Sequence, residues 1–344
     1  MGTAVASFGL LIALLAQTSL QTPPQSLPPA APPHKTARFS FYPIRLYDLS
    51  PQAGVFAADF YVWLSFRKGE WGSAAADSVP KLEAANGEEL QCEVVEYDSP
   101  ESPDTQTFWY RCRSKFYHSF DFTFYPFDEQ TLNIELENPA YPQAQFSFTV
   151  MTPASHLEEC RAEPCLLKSA AYPSVSGWEI ASAEVRTRNH HYNTDWGFPK
   201  DRNMSDYSQA ILQIRLLHRW GVPLLALLGP NLLVALLATS LAGSAQEKSG
   251  RMQALLGVIA AAAAQHYSFL NNAPGDSAIS FAQLYFLITY ALLALAGWFI
   301  LTRDTPLPPK YQARWFFGYG ILQAVCLVMH IAVPMFQRGE FGRL

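Results

Sequence analysis

The residues best equipped for chemistry in this chain are its histidines, and they number only 8 in 344 residues. His190 and His191 are adjacent, with Asp195 in the same stretch, and imidazole together with carboxylate suits zinc or copper. Neighbouring side chains on a strand point to opposite faces, however, and no further ligand stands close in the sequence. No metal site is assigned from them. Histidine is also the side chain that changes charge near neutrality, so His218, ending an alternating run, and His266, inside an alanine-rich one, make protons a candidate signal. A hydrogen-bonded histidine of structural use fits the same positions. The chain shows no nucleophile motif, phosphate-binding loop or dinucleotide fingerprint, so it is read as a non-enzyme with no cofactor. A net charge of -5 provides no basic stripe, which argues against nucleic acid as a partner.

The other chemical feature is a turn. "FDFTFYPFDEQTLNIELEN", Phe120 to Asn138, sets Tyr125, Pro126, Phe127 and Asp128 just before a run in which Leu132, Ile134 and Leu136 alternate with Asn133, Glu135 and Glu137. That period of two predicts a half-buried strand. Three bulky groups and a charge exceed what a strand connection requires. By themselves, the residues fit an aromatic plug carrying a solvated aspartate.

The elements that must hold this turn fall into two zones. Charged residues make up 15% of the chain, below the roughly 25% of soluble proteins, and they crowd the stretch before Trp220. There, Phe60, Val62, Leu64 and Phe66 alternate with Tyr61, Trp63 and Ser65, while Ala210, Leu212, Ile214 and Leu216 alternate with Ile211, Gln213 and Arg215. Many short strands between Pro, Gly and Asn turns predict an antiparallel, immunoglobulin-like all-β sandwich over 37–219. Cys92 and Cys112 could meet across a hairpin, and Cys160 and Cys165 bracket a short loop; four unpaired thiols are the alternative. Ahead of the sandwich, the apolar run from Ala6 to Ala16 reads as a signal peptide over 1–21, or as a membrane anchor, because no positive charge precedes it. A Pro-rich leader follows over 22–36.

After Trp220 come apolar runs from Gly221 to Ala242, Met252 to Leu270, Ile279 to Leu301 and Trp315 to Phe336, each near the roughly 20 residues that a membrane-crossing helix needs. They predict an all-α, four-helix transmembrane domain over 220–337, with a tail over 338–344. Lys248 and Arg251 in one connection, and Arg303, Lys310 and Arg314 in another, put those loops in the cytoplasm and the sandwich and C-terminus outside a cell (inner) membrane. The second run is unlike the others, because alanines, Gln253, Gln265 and His266 make it too small-sided and polar to face lipid all round. It suits either the centre of one bundle or an aqueous path shared among subunits.

The sandwich, the turn "YPFDEQ" and four membrane helices in this order resemble the pentameric ligand-gated ion channels, the Cys-loop receptor superfamily, in its bacterial branch. The likeness runs from about Phe39 to Phe336 and includes "VPKLEAAN", "GWEI", Pro230 in the first helix, and Arg251 and Pro274 bounding the second. His118 and Leu132 stand where the superfamily's two cysteines would be. The resemblance implies a homopentamer in membrane lipid that passes inorganic ions, cations by preference, on binding an unknown small molecule or protons. It implies that Tyr125, Pro126 and Phe127 dock on the outer helix ends near Asn271 to Ser277. Asp128 is then held by Arg219, with Asp48 a second acidic candidate and Pro274 in the receiving linker. The pore would be lined by Glu247, Gln253, Gly257, Ala260, Ala264, Tyr267 and Asn271. Ala260 departs from the bulky apolar ring usual there. A ligand would sit between sandwiches against Tyr61, Trp63, Tyr192 and Trp196. A non-conducting sensor of the same architecture is the main alternative, and a metal-binding membrane protein using His190, His191 and Asp195 the lesser one.

Overall fold

The computed structural model describes residues 34–68, 81–97, 104–152, 157–158, 160, 162–194, 197, 205–272 and 280–337. The expected signal peptide, nearly all of the Pro-rich leader, and the C-terminal tail lie outside them, as do Asp195, Trp196 and Pro274.

The described residues hold ten strands, the longer ones built on alternation of large apolar and polar residues: β1 (Lys35–Ser50), β2 (Val55–Arg67), β3 (Glu83–Ala84), β4 (Gln91–Tyr97), β5 (Thr105–Tyr117), β6 (Glu129–Glu137), β7 (Phe146–Val150), β8 (Cys165–Leu166), β9 (Trp178–His191) and β10 (Asp206–His218). They form two five-stranded sheets, in the orders β4-β5-β2-β1-β7 and β3-β6-β10-β9-β8. The inward rows of both sheets share one core. Phe60, Val62 and Leu64 are fully buried, and Leu132, Ile134 and Leu136 are at most 1% exposed. Phenylalanine dominates this core, with edge contacts such as Phe39 to Phe41 at 5.6 Å and Phe146 to Phe148 at 4.7 Å between ring centroids. One pairing departs from the antiparallel expectation: β7 runs parallel to β1, Phe146 opposite Lys35 through Val150 opposite Phe39. The chain reaches β7 by crossing from the second sheet to the first after β6, so no hairpin turn forces an antiparallel approach. Cys92 and Cys112, register partners on β4 and β5, are disulfide-bonded, as are Cys160 and Cys165.

Four long helices follow: α1 (Gly221–Ala242), α2 (Lys248–Asn272), α3 (Phe281–Thr302) and α4 (Pro309–Gln337). Three of them, α1, α3 and α4, are long and apolar enough to cross a membrane. The second run falls short of that apolarity, because five consecutive alanines, Gln265 and His266 dilute it. The helices also extend past the apolar runs, α2 beginning at Lys248 and α4 at Pro309. Three polar groups inside the bundle bond one another: Thr289 Oγ1 donates to Asn231 Oδ1 at 2.9 Å, and Tyr319 Oη donates to the Asn231 carbonyl at 3.1 Å. Such bonds knit α1, α3 and α4 where no water competes. Next to Pro230, which lacks an N–H, Asn231 Nδ2 donates to the Leu227 carbonyl at 2.8 Å.

Phe60 reaches the core from the middle of β2. Replacing it with alanine should cost about 3 to 5 kcal/mol by loss of transfer energy and cavity formation, seen as a lower unfolding midpoint. The outward Tyr61→Ala should cost well under half of that.

Candidate functional site

The turn after Phe120 is the place where sheets and helices meet. Its backbone is bonded to α3, since the Phe281 N–H donates to the Thr123 carbonyl at 2.9 Å. On α4, the His330 Nε2–H donates to the Phe124 carbonyl at 2.9 Å. With Nε2 carrying the proton, Nδ1 is an acceptor, and the Tyr285 hydroxyl lies 3.3 Å from it. Aromatic rings complete the seat. Phe124 stacks on Phe281 at 5.1 Å, Tyr125 leans on Phe269 of α2 at 6.1 Å, and Phe127 meets His330 at 5.0 Å and Trp220 at 5.6 Å. The peptide between Tyr125 and Pro126 is cis. The loop therefore touches α2, α3 and α4 and the residue leading into α1. Of the anticipated docking segment, Asn271 to Ser277, residues 273–277 lie outside the described residues, and the contacts observed flank it at Phe269 and Phe281.

Asp128 is only 3% exposed and needs partners. His218 Nδ1 lies 2.9 Å from its Oδ1, and Gln130 Nε2 donates to its Oδ2 at 3.0 Å. This corrects the assignment of Arg219 as its holder. The end of β10 lies beside Asp128, whose carbonyl accepts the His218 N–H at 3.2 Å, and the next side chain, Arg219, turns out into solvent. His218 is in turn stacked on Trp178 at 4.5 Å and faces Tyr125 at 5.2 Å. Asp48 is exposed, with φ of 49°, at an irregularity near the end of β1 rather than in a loop.

Gln130 closes this turn from the sheet side. Besides Asp128, its Nε2 donates to the Asp121 carbonyl at 2.7 Å, and its Oε1 accepts the Asp121 N–H at 3.1 Å and lies 3.5 Å from His118 Nε2. A side-chain amide thus ties together the two ends of the loop. Sequence reading missed both Gln130 and His330. A lone histidine inside "LVMHIAV" was a legible signal for the latter, whereas a glutamine in an alternating strand gives none.

The helix α2 divides into two faces at about 100° per residue. Leu255 and Ala262 are buried at 1% and 3% against α1 and α3. His266 packs on Phe286 at 4.3 Å and lies 3.1 Å from the Tyr290 hydroxyl. The candidates Gln253, Gly257, Ala260, Ala264, Tyr267 and Asn271 are all exposed on the other face, with Glu247 exposed just before the helix. Arg251 is wholly buried, and its Nη2 donates to the Asp304 carbonyl at 3.1 Å, fixing the start of α2 to the end of α3. A cation is favoured at such a helix C-terminus.

The described candidate ligand aromatics, Tyr61, Trp63 and Tyr192, do not converge within one chain. Tyr61, 37% exposed, and Trp63, packed on Trp109 at 6.2 Å, lie on the outer side of the first sheet. Tyr192 lies on the second, donating to Glu137 Oε1 at 2.8 Å. His191 bonds Asp206 at 2.7 Å while His190 meets the Tyr192 ring at 4.4 Å, so the two histidines serve different neighbours. Among the described residues no cluster of three metal-ligating side chains occurs. No protein-family model matches the chain, and no curated protein matches it.

Gln130→Ala should strip buried Asp128 and the Asp121 backbone of partners and cost about 1 to 3 kcal/mol, readable by thermal unfolding. A pH effect is also expected. Burial depresses the His118 imidazole, a shift that the Gln130 bond partly opposes. Stability from this group is therefore full above the unfolded value of 6.5 and declines as pH falls below it, and His118→Phe should flatten that acid limb.

Proposed function

We propose that this chain is one subunit of a homopentameric ligand-gated ion channel of the Cys-loop receptor type. The observation that carries the reading is the exposed face of α2. Gly257, Ala260 and Ala264 with Gln253 and Asn271 leave a small-sided, polar stripe uncovered by the chain's own helices, beside three helices apolar enough for lipid. Lipid is a poor cover for that stripe, whereas water at a shared axis satisfies it. Five such stripes would ring an aqueous path. The docked turn supplies the second requirement, because a shift of the sheets relative to the membrane cannot occur without disturbing the seat around Phe124 and Tyr125. The third support is the placement of the aromatics: Tyr61 and Trp63 face away from Tyr192, so one ligand could touch all three only between neighbouring subunits.

In this proposal the sandwich and C-terminus lie outside an inner membrane, with Lys248, Arg303, Lys310 and Arg314 on the cytoplasmic side. The chain's acidic balance favours cations modestly. Ala260 offers little bulk for a hydrophobic gate, and Tyr267, 68% exposed, is the larger group lining the outer half. That substitution of alanine for bulk is also what favours the second reading, a sensor that does not conduct. An agonist would act through its affinity difference between open and shut states, typically about 1 to 3 kcal/mol of coupling.

Cysteines placed at Gly257, Ala260 and Ala264 should react with a water-soluble, membrane-impermeant thiol reagent in the reconstituted protein, whereas Ala262→Cys on the buried face should not. Equal protection at all four positions would count against a water-lined α2. Ion flux into liposomes across a panel of pH values and small amines separates channel from sensor: flux abolished by the modification supports the channel, and its absence under every condition supports the sensor.

A further inference from the structure

On the second sheet, β3 is a two-residue edge strand, and its register sets Glu83 directly opposite Glu137 of β6. Like charges in that relation repel. Glu137 is 3% exposed and accepts two donors, the Tyr192 hydroxyl at 2.8 Å and Gln209 Nε2 at 3.0 Å. The nearby guanidinium is already engaged: Arg188 Nη2 donates to Glu135 Oε2 and to Gln209 Oε1, both at 2.7 Å. Among the described residues neither Glu83 nor Glu137 has an ion pair. Also on this face are Arg186 of β9, whose Nε is buried, Tyr207 of β10, His190 of β9 and Tyr192; both tyrosines are shifted upward, first by burial and then by the carboxylates around them.

We propose that Glu83 and Glu137 share one proton and form a latch that holds β3 against β6 while the proton is present and releases it when the proton is lost to solvent. In the closed form the Glu83 carboxyl donates to the Glu137 carboxylate, which then has a third donor and no opposing charge. In the open form two carboxylates face each other across a two-residue pairing, and the exposed Glu83 turns to water away from buried Glu137. Partial burial, the bond to Glu137 and that group's charge push Glu83 from 4.5 up to about 7. A carboxyl raised in this way binds its proton more tightly when paired. The β3 pairing is therefore strongest in acid and weakens as pH rises from about 4.5 through about 7. Because Glu137 also holds Tyr192, the latch joins the sheet edge to the segment after β9. The inference does not depend on ion conduction, since both carboxylates and the readout belong to the second sheet.

The test is amide hydrogen exchange on the full chain in lipid nanodiscs, corrected for the intrinsic pH dependence of exchange, following peptides that span 82–86. The N–H of Ala85, bonded to the Glu135 carbonyl at 2.8 Å, reports the pairing directly. Protection should fall about tenfold between about pH 6 and about pH 8, a tenfold effect corresponding to one pKa unit, with solvent around Glu83 screening the rest. Glu83→Gln, which keeps the bond but cannot ionise, should abolish the fall, and Glu83→Ala should abolish it as well. Unchanged protection in the parent protein, or the same fall in both variants, overturns the latch; the parent profile decides even if one variant fails to fold.

Discussion

A carboxylate withdrawn from water has to be given partners, and Asp128 sets that demand at the foot of the sheets. Its neighbours, Gln130 and His218, come from β6 and the central β10, adjacent strands of the second sheet, so the loop's position is locked to the sheet's own register. From that fixed end, Phe124, Tyr125 and Phe127 project onto α2, α3, α4 and Trp220. The rings pack against the helix ends, and two backbone carbonyls of the loop are taken by Phe281 and His330. Domain contact here is thus a mixture of apolar seating and directional bonds. Such a contact can hold alternative arrangements but resists gradual sliding.

The same logic assigns different tasks to the helices. Asn231, Thr289 and Tyr319 bond α1, α3 and α4 into a frame from within. The helix α2 contributes apolar side chains such as Leu255 to that frame and leaves its small and polar side uncovered. Tyr125 links the two levels, since it packs at once on His218 of β10 and on Phe269 of α2. Through Tyr125 a displacement of the sheet end reaches the helix proposed to line the pore, alongside the bonds to α3 and α4.

Features governed by local periodicity were legible in the sequence. The alternation of Phe60 to Phe66 and of Leu132 to Leu136 located the inward rows, and the run from Gly221 to Ala242 coincides with α1. Cysteine spacing allowed the two disulfides without deciding them, and the exposed face of α2 was anticipated from the family resemblance together with helical spacing. What spacing could not supply was long-range choice among partners. Arg219 and His218 adjoin in sequence, yet only the strand register decides which of them meets Asp128. The parallel approach of β7 to β1, the closure of the loop by Gln130 and the capture of Phe124 by His330, 206 positions away, likewise arise from tertiary packing. The pairing of Glu83 with Glu137 belongs to the same class, because a two-residue strand carries no period to read.

In the proposed channel the loop acts as one rigid piece anchored to the sheet at Asp128 and to the helices at His330. A double-mutant cycle of Asp128→Asn and His330→Ala on unfolding free energy in lipid measures this directly. Loss of either anchor should reduce what the other contributes, giving a coupling of about 1 kcal/mol between side chains that share no hydrogen bond. Additivity within about 0.3 kcal/mol would mean that the two ends are held independently, and would contradict the loop as a mechanical link.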